Sequence, residues 1–329
     1  MKERDRWLDI GKGLGILLVV VGHSGKVVHG YMFYWAIMPL FMVASGYLFR
    51  PVSSWPEFRL MALKRAQQLL IPYLACLFVI TLGRYGLQAL QGNHDVIWYV
   101  KDLAITLFGG RVLRGPYTAF WFITCLFATQ ILFAAITVMF KEKRHQIIII
   151  AVMYVAAHLE AMIPAVRAEI IKIPWNIDVS LMAIAFFSIG YYLKPYLKKI
   201  PIRITAVLTA VSAVLLGLNV MGYFEYTMDM KYVAYDHIVL DFILTNVLVF
   251  AVFGLFQLID HFKVLNIMVM MGNYSLVIMY LHFVANTIVF RTMDYSLIEF
   301  VLVGITVPIL VAKALERFPV TRRVFLGIR

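Results

Sequence analysis

The stretch DIGKGLGILLVVVGHSGK, residues 9 to 26, holds three side chains that can do chemistry, Asp9, Lys12 and His23. An imidazole changes protonation near neutral pH, so His23 can act as a base or carry a covalent group where few other side chains can. If the stretch is helical, the eleven residues from Lys12 to His23 make about three turns, or about 16 Å along the axis, and bring both side chains to nearly one face. Asp9, three residues before Lys12, joins that face and can pair with it. The reading is a helix with a polar stripe, with a charge pair at its start and an imidazole well inside.

A second set of polar groups lies late in the chain. In MGNYSLVIMYLHF, Tyr280 and His282 fall near the middle of another apolar run. Ionisable groups inside such runs are costly unless they meet partners or water, so each is a functional candidate. His282 gains weight from His23, with which it can share a depth, whereas Asp241, His158 and Glu160 read as structural or interfacial. In RLMALKRAQQLLIPYL, Lys64 and Arg65 stand at the entry of an apolar run. There they either anchor the helix or form an anion site, since Arg offers multidentate contacts to phosphate. Cys76 and Cys125 show no metal-ligand spacing, and no metal site is expected.

The elements that must position these groups are membrane helices. Of 329 residues 62% are hydrophobic and 15% charged, with a mean hydropathy of +0.84; soluble domains carry roughly 25% charge. Apolar runs of about 17 to 25 residues, each able to cross about 30 Å of hydrocarbon, recur along the chain. Ten spans can be drawn, over residues 8–28, 31–49, 66–88, 117–140, 146–163, 177–193, 203–222, 238–258, 268–290 and 297–315. The expected fold is therefore all-α, a polytopic integral membrane protein of about ten transmembrane helices forming one domain over residues 1–329. With both termini inside, the cytoplasmic side collects about twice as many Lys and Arg residues as the outer side. The net charge of +12 thus sits in short connections and not on a stripe with stacking aromatics. Membrane lipids of an inner or plasma membrane are the expected surroundings, and nucleic acid is not an expected partner. The longest outer connection, about residues 89 to 116, contains VIWYVKDLAITLFGG, which can lie along the interface or cover a cavity. Trp35, Trp121 and Trp175 read as interfacial anchors.

In order along the chain, these segments resemble the acyltransferase 3 family, the bacterial membrane O-acyltransferases that include fucose 4-O-acetylase-like proteins. The opening, with Asp9, Lys12 and His23, is similar to its first motif, in which Arg is common where Lys12 stands. IMPLFMVASGYLF resembles its Pro-Leu-Phe and Ser-Gly pattern at Pro39, Leu40, Phe41, Ser45 and Gly46. LKRAQQLLIPYL matches a basic entry followed by Pro72 and Tyr73. FWFITCLF is similar to an aromatic segment at Trp121 and Phe122, and FFSIGYYLK to a span ending at Gly190 and Tyr191. GNYSLVIMYLH resembles the late motif at Gly272, Ser275, Tyr280 and His282.

The resemblance implies transfer of an acyl group, usually acetyl, from cytosolic acetyl coenzyme A or another acyl-coenzyme A to a hydroxyl of an envelope glycan or related carbohydrate. On that reading His23 is general base or acyl carrier, and Lys12, Tyr280 or Trp121 stabilises the oxyanion. Asp9 orients Lys12, Arg65 and Lys64 hold donor phosphates, and Ser45, Tyr73, Trp121, Tyr280 and His282 support the site. The alternative is a proton-coupled transporter or flippase of a sugar or lipid-linked substrate, because buried Asp, Lys and His also mark proton and substrate pathways. Such a protein favours Gly- or Pro-broken helices at matching places in two halves, and Pro39 and Pro72 find no matching pair late in the chain.

Overall fold

The computed structural model describes residues 5–26, 34–290 and 294–328. Lys2, Arg4, Arg291 and Arg329 of the charge pattern, and residues 27–33 at the edges of the first two expected spans, lie outside them. Sixteen α-helices and no strand make up the described residues. The first half holds α1 (Arg6–Gly22), α2 (Tyr34–Leu48), α3 (Trp55–Arg65), a π-helical turn (Ala66–Leu70), α4 (Ile71–Leu90), α5 (Val96–Phe108), α6 (Trp121–Met139), α7 (Lys143–Ala161) and α8 (Pro164–Arg167). The second half holds α9 (Ser180–Tyr192), α10 (Lys194–Leu197), α11 (Ile202–Val220), α12 (Leu240–Ile259), α13 (Asn266–Asn273), α14 (Ser275–Val289), α15 (Leu297–Glu316) and α16 (Pro319–Leu326).

The fold is all-α, and helical residues lie in each of the ten expected stretches, the ninth of them divided between α13 and α14. Among the described residues, five segments are long and apolar enough to cross a membrane alone: Trp55–Leu90, Gly115–Met139, Ile202–Val220, Leu240–Ile259 and Leu297–Glu316. The bent pair formed by α13 and α14 makes a sixth when taken as one span. Helices α1, α2 and α9 have 17, 15 and 13 residues, about 20 to 26 Å at 1.5 Å per residue. These short helices form the middle of the bundle, with α9 burying nine side chains from Ser180 to Gly190. Of the long helices α6 is also largely buried, whereas α11 lies outside and leaves Val207, Val211 and Val214 exposed as a lipid-facing helix does.

Helix α1 is the hub, packed against α2, α12, α13, α14 and α15. Its crossing with α13 is a backbone contact. A Cβ on Gly13 would overlap the Met268 carbonyl oxygen, and one on Gly272 would overlap that of Asp9. The α2–α9 crossing repeats the device, with Gly46 against Phe187 and Gly190 against Val43. Without a hydrophobic driving force between helices in lipid, such close approach supplies the van der Waals contact that holds them.

Two breaks differ from the expected continuous spans. Helix α1 stops at Gly22, and His23 caps it at φ −86°, ψ 0°, because Gly25 follows in the left-handed region at φ +68°. The imidazole thus stands at the mouth of the helix and not inside it. The expected ninth span is bent by 78° between α13 and α14, where the Ser275 hydroxyl donates to the Gly272 carbonyl. The bend lays α13 across α1 and sends α14 alongside it, so His282 starts from a helix of its own.

Gly272→Ala is expected to cost about 1 to 3 kcal/mol through overpacking at the α1–α13 crossing, read as a lowered Tm in detergent. Gly86→Ala, with nothing within 4 Å of its Cβ, should stay within about 0.5 kcal/mol. Equal stability of the two variants would contradict the crossing.

Candidate active site

His23 and His282 meet at the end of α1. His23 Nδ1 and His282 Nε2 are 2.9 Å apart, with ring planes within 10° of parallel. His282 Nδ1 lies 2.8 Å from the Ile278 carbonyl, one turn back on α14. A carbonyl only accepts, so His282 Nδ1 carries a proton, and in the neutral ring its Nε2 is an acceptor. The proton between the rings therefore belongs to His23 Nδ1. His23 Nε2 is left with a lone pair and takes no protein partner among the described residues. The network assigns this tautomer, and it is the one a general base needs.

That lone pair belongs to a ring that lines a cavity of about 520 Å³, together with Trp35, Trp121, Asn219, Tyr226 and Lys231. Its volume falls within the roughly 300 to 1,000 Å³ usual for small-molecule sites. Trp35 and Trp121 are buried in its wall, so neither is the lipid-facing anchor its place near a span end suggested.

Three connections form a roof over the cavity. Residues 109–118 and 173–179 are joined where the Arg111 backbone N–H donates to Asn176 Oδ1 at 2.6 Å and the buried Arg111 guanidinium pairs with Asp178. Asn176 donates in turn to the Lys231 carbonyl of the third connection, residues 221–239. Trp175 and Asn176 both hold positive φ, 60° and 52°, a costly pair that persists only where surrounding bonds impose it. The Lys231 ammonium donates to the Leu113 and Thr118 carbonyls at 3.0 and 3.2 Å. Burial, and then the Arg114 charge, push its pKa down to about 8. Burial also raises the Asp229 carboxyl, whose Oδ1 accepts from the backbone N–H groups of Lys231 and Tyr232.

His158, Asp241 and Tyr226 form a second network behind the cavity wall. His158 Nδ1 bonds the Tyr154 carbonyl at 3.0 Å and Nε2 faces Asp241 at 3.0 Å. Asp241 also accepts from the Tyr226 hydroxyl and the His237 backbone N–H. Both ring nitrogens of His158 face acceptors, so the ring is fixed in place and the network holds Tyr226 in the wall.

The remaining residues singled out in the sequence lie elsewhere. Asp9 and Lys12 pair at 2.7 Å, about three turns of α1 away from His23. Arg65 donates to Gln68 at the π-helical turn, and Lys64 beside it is exposed. Tyr280 is fully buried, with its hydroxyl 3.5 Å from the Leu69 carbonyl of the same turn. Tyr73 is packed against Phe120 and Trp175, and Ser45 stands beside the Gly46 crossing. Only His23 and Trp121 of this set line the cavity, with His282 behind the first. Tyr226, Asp229 and Lys231 were missed; the dense Tyr and Met content of YFEYTMDMKYVAYDH, unusual for a connection, was the available signal.

A cavity walled by short buried helices and roofed by their connections, with an imidazole lone pair on its surface, belongs to a membrane protein that works inside its helical bundle. The family model described as an acyltransferase domain matches residues 5–316, and the chain belongs to this acyltransferase 3 family. It is thereby a multi-pass membrane acyltransferase in general terms. Neither a curated protein nor a solved structure matches it.

Diethyl pyrocarbonate attacks an imidazole nitrogen with an available lone pair. Peptide mass spectrometry of the treated protein should find His23 modified, and His158 and His282 spared. Modification of His282 as fast as His23 would refute the assigned tautomers.

Proposed function

We propose that the protein is a membrane O-acyltransferase, most simply an O-acetyltransferase, that moves an acyl group from cytosolic acyl-coenzyme A to a hydroxyl of an envelope glycan or related carbohydrate. The observation that carries this reading is the His23 imidazole, which is held by His282 through Nδ1 so that Nε2 keeps its lone pair, in a ring that lines the cavity. The aromatic and polar lining suits a sugar, whose rings offer apolar faces and whose hydroxyls need partners.

In the proposed reaction the acceptor hydroxyl donates to His23 Nε2 and its oxygen attacks the thioester carbon. The proton passes to Nε2 as the C–O bond forms, and the imidazolium is held by its Nδ1–H bond to His282. The carbonyl electron pair becomes an oxyanion, and a preorganised donor there is worth about 10²- to 10³-fold in rate. Trp121 is the donor assigned to this role, because it lines the same cavity; Lys12, about 16 Å along α1 from His23, is too distant for an oxyanion formed at His23. Collapse of the intermediate expels the coenzyme A thiolate, which takes the proton back from Nε2. The alternative order, in which His23 Nε2 first takes the acyl group and then yields it to the acceptor, uses the same lone pair.

The donor reading assigns the opposite end of α1 to coenzyme A. There Arg65 and Lys64 would meet phosphates, and the pantetheine arm would run past the Asp9–Lys12 pair to bring the thioester to His23. His282 makes no contact with the reacting atoms and is a positioning residue for His23.

The test uses purified protein in detergent, labelled acetyl coenzyme A and cell-envelope glycans. His23→Ala should lower transfer by about 10² to 10⁴. His282→Gln should lower kcat with the acceptor KM unchanged, and unaltered transfer in His23→Ala would sink the proposal.

A further inference from the structure

The roof of the cavity pairs its arginines with carboxylates. Arg111 holds Asp178, Arg114 holds Glu169, and Arg167 holds Asp236. Lys231 is the exception. It is 5% exposed and lines the cavity, yet among the described residues its ammonium donates only to the neutral carbonyls of Leu113 and Thr118 and otherwise lies over the Tyr232 ring at 5.2 Å. Asp229, its nearest acid in sequence, also lines the cavity and acts on the ammonium through space, but it spends Oδ1 on the loop backbone and forms no ion pair with Lys231. An ammonium has three N–H donors, and two are used here. A buried charge without a counter-ion is costly, and such a group on a cavity wall marks a place where an anion is received.

Its position relative to His23 says which part of a ligand that anion belongs to. His23 comes from the end of α1, whereas Lys231 descends from the 221–239 connection, and the two belong to one cavity. His23 and Lys231 line the same cavity, and no hydrogen bond links them among the described residues. A ligand that fills the cavity therefore presents a hydroxyl to one and a separate charged group to the other, with Trp35, Trp121 and Tyr226 along the wall.

We propose that the acceptor is an acidic sugar, a glycoside bearing a carboxylate that takes the vacant counter-ion position at Lys231 while a ring hydroxyl faces His23. This rests on the acyltransferase reading of the cavity. The carboxylate accepts the third N–H of the ammonium without disturbing the two carbonyl bonds. Neutral sugars of the same shape leave that N–H and its charge without a partner, which is how polar sites discriminate strongly between near-identical ligands.

The test is binding, kept separate from turnover. Titration calorimetry on the full-length protein in detergent would compare methyl β-glucuronide with methyl β-glucoside, which differ by carboxylate against hydroxymethyl. Wild-type protein at pH 7 should bind the glucuronide at least about tenfold tighter, the size of effect that one charge-assisted hydrogen bond supplies. Lys231→Gln should erase the preference and Lys231→Arg should keep it.

Lys231 also bridges the roof, so a second measurement needs no mutation. Its ammonium loses its proton as pH rises through about 8, while the glucuronate stays ionised. The groups that face it are Arg114, Glu169, which is paired with Arg114, Asp229, the Tyr232 ring and, across the cavity, the His23 ring. Between pH 7 and pH 9 the glucuronide preference of wild-type protein should fall by roughly tenfold, as the competent fraction does. Equal or absent binding of the two glycosides, a preference that survives in Lys231→Gln, or one that is flat with pH would each overturn the proposal. Acetyl transfer that still depends on His23 in any of these cases would leave the acyltransferase reading standing.

Discussion

The backbone crossing of α1 over α13 is the constraint on which the site depends. Gly13 and Gly272 let the two helices touch main chain to main chain, and Ser275 then opens a helix in a new direction. That change of direction brings α14 beside α1 and His282 to the end of the helix that His23 caps. The crossing of α2 over α9 does the same for the wall, where Pro39 and its neighbours Ile37 and Met38 line the cavity. Small residues at helix contacts allow this because packing, and not exclusion of water, holds helices together in lipid.

Two histidine networks in this bundle begin alike and end differently. His158 and His282 each bond through Nδ1 to the carbonyl one turn back on their own helix. The second nitrogen of His158 meets the carboxylate of Asp241, and the pair closes on itself with Tyr226 attached. The second nitrogen of His282 meets another imidazole and fixes its tautomer. The partner, and not the histidine, decides whether the network closes on itself or leaves a ring nitrogen without a protein partner. The His158 network is closed on every side, whereas His282 lies behind a ring whose Nε2 has no protein partner among the described residues.

Helical character and the run of apolar segments were legible in the sequence, as was the company that His23 and His282 keep. Composition and period carry that information locally. The lengths were not legible. Three central helices are too short to cross alone, and the ninth span is bent, because buried helices are defined by neighbours more than by hydropathy. Trp35 and Trp121 read as interfacial anchors by position, yet they face a cavity that several separate segments build. Lys231 gave no signal as a residue, since a lysine in a connection is ordinarily solvated; only the carbonyls of Leu113 and Thr118, more than a hundred positions away, bury it.

The sequence by itself determined that the chain is a helical membrane protein with an imidazole at the end of a polar stripe, and its order of motifs determined the family. Residue type and helical period set these, and both are local properties. The tertiary structure alone decided which nitrogen of His23 is free, which tryptophans line the cavity, and which lysine lacks a counter-ion. Each of those depends on a partner supplied by a distant segment, and the distance is bridged only when glycine-lined helices cross and three connections close over them.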